Sequence, residues 1–121
     1  LSFLKCRTVF FCFVVSMVGG CINHRTDVIP PVTRAQKDFD GIRFLHEKGR
    51  SSQLVQKAQK FLDVYPEEEL VRPVKYYLAL NCERLGQKDV ARKYFQEIIK
   101  LYPSSGWSEL ARSHLKTMDD R

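Results

Sequence analysis

The chain has 121 residues, a net charge of +6 and a pI near 9.3, which is room for one domain with a mildly basic surface. Its Lys and Arg alternate with Asp and Glu, and its longest run of one sign is acidic, Glu67-Glu68-Glu69. No basic cluster of the kind that binds nucleic acid is present, so nucleic acid is excluded as an expected partner. Four cysteines suggest two disulfides, yet Cys6, Cys12 and Cys21 all fall in the first 21 residues.

Those first residues read as an address. Lys5 and Arg7 make a positive start, residues 8–18 form an uncharged and mostly apolar run, and Gly19 and Gly20 follow. This is the layout of a secretory signal, and the run is shorter than the roughly 20 residues a spanning helix needs. Removing residues 1–20 deletes Lys5 and Arg7 and lowers the net charge from +6 to +4. It also leaves Cys82 without a partner, as a small apolar core residue.

The ending Val18-Gly19-Gly20-Cys21 resembles the lipobox of bacterial lipoproteins. By that resemblance the signal is cut before Cys21, and Cys21 carries the acyl chains that hold the protein to a membrane. Each buried CH₂ contributes about 0.8 kcal/mol, so two or three chains anchor firmly where one is marginal. Ile22 stands where lipoproteins retained in the inner membrane of enteric bacteria carry Asp, which implies the outer membrane, facing the periplasm. Residues 21–33 then form a tether stiffened by Pro30-Pro31. At roughly 3.1 Å per residue in a polyproline-like state, residues 22–33 reach about 37 Å.

Residues 34–121 are expected to be all-helical and repetitive. Gly49 and Gly86 are 37 residues apart, as are Tyr65-Pro66 and Tyr102-Pro103. Between each Gly and its Pro lies an amphipathic helix. One carries Leu54, Val55, Ala58, Phe61, Leu62 and Val64, the other Val90, Ala91, Tyr94, Phe95, Ile98, Ile99 and Leu101. Helices over residues 34–48 and 73–85 are predicted before the glycines, and a closing helix over residues 104–118. Thr33 and Gln36 fit a capping box, and Pro73 suits a first helical turn. Gly49 and Gly86 suit the left-handed residue that ends a helix, with Ser51 or Ser52 and Asp89 capping the next.

This pattern resembles the tetratricopeptide repeat (TPR). Over residues 72–105, Leu78, Ala79, Gly86, Ala91, Phe95 and Pro103 stand at the family's positions, with Cys82 and Ile98 departing from it. The first copy is weaker. The 37-residue spacing and the Tyr-Pro-x-Ser ending are similar to TPR lipoproteins of bacterial envelopes, of the barrel-assembly and Tol-Pal coordinator types. Two and a half repeats fall short of the three that usually stack stably. Either the last helix caps the stack, or self-association or a partner supplies the rest.

No catalytic or metal-binding constellation is legible: His24, His46 and His114 are scattered, and no phosphate loop or nucleophile motif occurs. Neither an enzyme nor a cofactor is expected. Glu67–Glu69 reads as charge placed near a helix N-terminus. The resemblance implies a binding groove lined by the first helix of each repeat. Tyr76, Leu80, Glu83 and Arg84 form one helical stripe, distinct from a core stripe of Val74, Leu78, Cys82 and Leu85. By the 37-residue offset, Phe39, Arg43, His46 and Glu47 join that groove. The expected function is a membrane-anchored scaffold that binds envelope proteins or peptides. The alternative is a pilot or accessory subunit of a secretion or pilus machine.

Overall fold

Thr33 opens the first helix. In the computed structural model, which describes residues 32–121, its hydroxyl accepts from the Gln36 amide at 3.1 Å. Residues 1–31, including the expected signal, Cys21 and most of the tether, lie outside the described residues. The capping box is only half made. The Gln36 side chain donates to Asp40 at 3.0 Å instead of reaching back to Thr33. From this cap α1 runs Arg34–Glu47, followed by α2 Ser51–Val64, α3 Val71–Arg84, α4 Lys88–Leu101 and α5 Gly106–Asp119. Among the described residues there is no strand, and no helix is long and apolar enough to cross a membrane.

Both hairpin turns are built alike. Gly49 has φ +69° and Gly86 φ +80°, the left-handed conformation expected of them. At the first turn Arg50 N–H donates to Leu45 and Gly49 N–H to His46. At the second, Gln87 donates to Cys82 and Gly86 to Glu83. This paired 6→1 and 5→2 pattern satisfies the last carbonyls of α1 and α3. It leaves one residue before the next helix, so Arg50 and Gln87 are the N-caps and neither has a capping side chain. The expected caps are therefore corrected: Ser51 lies inside α2 and Asp89 inside the first turn of α4.

The helix ends repeat as well. Tyr65 (φ −126°, ψ 58°) and Tyr102 (φ −133°, ψ 56°) close α2 and α4 with nearly the same backbone, each before a proline that disfavours helix. Helix α3 starts two residues earlier than expected. Pro73 is then its third residue, still within the first turn where an N–H has no intrahelical acceptor. Ser105 caps α5, accepting from the Ser108 amide at 3.2 Å.

One core runs through all five helices, and Ile42, Leu54, Ala58, Val74, Leu78, Ala79, Ala91, Phe95, Ile98 and Ala111 are fully buried in it. Cys82 is 1% exposed, and burial pushes its thiol pKa up, as suits a packing residue. Three helix-end residues expected on the apolar face are exposed: Val64 (56%), Leu101 (54%) and Leu85 (41%). The reason is angular. The buried stripes of α2 and α4 pass from Phe61 and Ile98 to Tyr65 and Tyr102, four residues on, and Leu85 is already the C-cap of α3.

Candidate partner-binding face

The first helix of each repeat, α1, α3 and α5, packs beside the next, with α3 in the middle. Tyr77 of α3 is the aromatic centre of this face. Its ring lies 4.9 Å from His46 and 6.1 Å from Phe39 on α1, and 6.5 Å from Trp107 on α5. Tyr76 stands edge-on to Phe95 at 5.7 Å and 5.6 Å from Trp107. Such tilted and edge contacts suit the ring quadrupoles and fix these side chains. Trp107 thus bridges the two tyrosines at the start of α5.

Polar groups hold the other end of the face. Asn81 is fully buried and fully used: Oδ1 accepts from Ser51 at 2.9 Å, while Nδ2 donates to the Tyr77 carbonyl at 2.7 Å and to His46 Nδ1 at 3.0 Å. A donor facing Nδ1 requires that nitrogen to be unprotonated. Burial and then the nearby Arg84 guanidinium lower the His46 pKa below its usual 6.5, which agrees. Arg84 reaches the His46 carbonyl at 3.4 Å and stays exposed. Glu83 binds His114 of α5, with Arg121 3.9 Å away.

Against this geometry the expected groove residues divide. Phe39 is corrected: it is only 8% exposed and packs in the core, because α1 turns that side toward Tyr77. Arg43 is exposed, 3.9 Å from Asp40. Tyr76, Leu80 and His46 are half-buried, Arg84 is exposed, and Glu83 is half-buried beneath its two partners. The structure brings His46 and Arg84 together, and Glu83 with His114. Sequence reasoning missed Tyr77, Asn81, Trp107 and His114. Tyr77, Asn81 and Arg84 lie at i, i+4 and i+7, a stripe one residue round from the Tyr76–Leu80 stripe, and this spacing was the available signal.

The arrangement offers a partner two half-exposed tyrosines, a tryptophan, Leu80 and the cation of Arg84, residue types that supply much of the energy at interfaces. Compared with known proteins, the tetratricopeptide repeat family matches residues 74–105, which span most of α3, all of α4 and the turn after it. No curated protein and no solved structure matches the chain. A helical fold of this repeat type is typically a scaffold for protein–protein interaction.

Proposed function

We propose that this TPR-containing protein is a membrane-anchored scaffold of a bacterial cell envelope. Acyl chains on Cys21 would hold it, and the α1–α3–α5 face would bind partner proteins or peptides. The observation that carries the scaffold reading is that face: Tyr76, Tyr77, Leu80, Trp107 and Arg84 gathered on adjoining first helices of a repeat. Val18-Gly19-Gly20-Cys21 supports the anchor, and Ile22 supports the outer membrane, facing the periplasm.

Two experiments test the halves separately. Cys21→Ser should abolish incorporation of labelled palmitate and move the protein out of the membrane fraction; equal labelling of mutant and wild type defeats the anchor. A photo-crosslinking residue at Leu80 should yield defined adducts in intact envelopes, while one at exposed Gln96 on α4 should not. Equal adducts from both positions defeat the face.

A further inference from the structure

The two repeats carry the same notch with opposite linings. In the second repeat, the notch between α3 and α4 on the side toward the first repeat is occupied by α2. Val71, Val74 and Leu78 are buried on one stripe with Asn81, which is bonded to Ser51 of α2. Burial raises the Tyr94 phenol pKa, and Gln59 and Asp63 of α2 are among the groups acting on it. Lys75 pairs with Glu97 at 3.4 Å and is 15% exposed.

Shifted back by 37 residues, the same positions in the first repeat are Arg34 for Val71, Lys37 for Val74 and Gly41 for Leu78. Asp38 stands for Lys75, Lys57 for Tyr94 and Lys60 for Glu97. Among the described residues the notch there is open, a recess of about 620 Å³ lined by Arg34, Asp38, Gln53, Gln56, Lys57 and Lys60 over an apolar floor of Phe61, Val64 and Tyr65. The missing side chain at Gly41 lets Lys57 lie across it. Three of the four charged lining residues are cations. The fourth, Asp38, accepts a hydrogen bond from Tyr65 at 3.0 Å, and the cations have no ion-pair partner among the described residues.

We propose that this notch docks an acidic amphipathic helix from a partner protein, seated on α1 and α2 as α2 sits on α3 and α4. The apolar floor would take its Leu or Ala stripe, and Arg34, Lys57 and Lys60 its flanking carboxylates. The segment just before α1 does not fit that helix. Residues 22–31 hold one acid, Asp27, against Arg25, and end in Pro30-Pro31. The site is separate from the face proposed above, so either reading can fail alone.

The test is fluorescence anisotropy on the full chain with a labelled, stapled helical peptide of Leu and Ala flanked by Glu, and its Glu-to-Lys counterpart. The acidic peptide should bind the wild type, and K57E/K60E should weaken it by at least about tenfold while creating affinity for the basic peptide. Lys60 is exposed and Lys57 is half-buried across Gly41, so unchanged circular dichroism and an unchanged melting temperature confirm that the variant folds. Arg84→Ala, on the other face, should leave binding unchanged. Equal binding to wild type and K57E/K60E, loss of binding with Arg84→Ala, or no binding by the wild type overturns the proposal. So does dimerisation of the chain that K57E/K60E abolishes, which would assign the notch to a second copy.

Discussion

The two hairpins share a backbone and differ in nearly everything that covers it. Their turns, helix lengths and closing tyrosines coincide, yet the family match covers only the second. The large and small core positions are exchanged. The first hairpin has Ile42 and Ala58 where the second has Ala79 and Phe95, and all four are fully buried. A repeat fold therefore constrains the summed volume between its helices more tightly than the residue at either position.

Breaking that volume balance should give the largest effect. Phe95→Ala should lower stability by about 3–5 kcal/mol in urea unfolding. Ala58→Phe in the first hairpin should cost about 1–3 kcal/mol through overpacking, and adding Ile42→Ala should recover part of it. If the double variant is no more stable than the single, the exchange of volumes is coincidental. Next comes the polar joint. Asn81→Leu strands the buried Ser51 hydroxyl and removes the donor to His46 Nδ1, and should cost about 1–3 kcal/mol, whereas Phe44→Leu at the matching exposed position should change little.

The turns predict equality. Open space surrounds both left-handed glycines, so Gly49→Ala and Gly86→Ala should each cost about 1–2 kcal/mol through backbone strain alone. A large difference between their unfolding midpoints would show that the turns are not equivalent. The smallest effect is on pH dependence. The His46 pKa is lowered in the fold, so the unfolded chain takes up that proton first. Its contribution is whole above the unfolded value near 6.5 and is lost as pH falls through the lowered folded value. Between roughly pH 7 and pH 5, His46→Gln should lose less stability than the wild type. A steeper loss in the variant would reverse the sign.

What the sequence showed was governed by local rules. Positive φ is nearly reserved to glycine, so Gly49 and Gly86 fixed both turns, and Tyr-Pro marked both helix ends within a residue. Caps failed at Ser51 and Asp89 because the bonding of the preceding glycine turn decides how many residues remain, and composition does not register that. The face was harder to read. Phe39 and Tyr76 occupy the same repeat position, but one is buried and one is half-exposed, because Trp107 and Tyr77 come from elsewhere in the chain. The Ser51–Asn81–His46 cluster joins residues 30 and 35 apart, beyond any helical period.

That cluster has a consequence for how copies of this chain meet. Similar hairpins are interchangeable in principle, and a stack of them invites pairing out of order, within a chain or between copies. Asn81 prevents this at the α2–α3 joint. By the 37-residue offset, Ser51 is matched by Lys88, and Asn81 by Phe44 and Met118, so no other joint in the described chain repeats the Ser–Asn pair. A hairpin seated in the wrong place would bury the amide oxygen without its Ser51 donor, at a penalty of about 1–3 kcal/mol. One asparagine thus keys the two hairpins to a single order, as a tab cut for one slot.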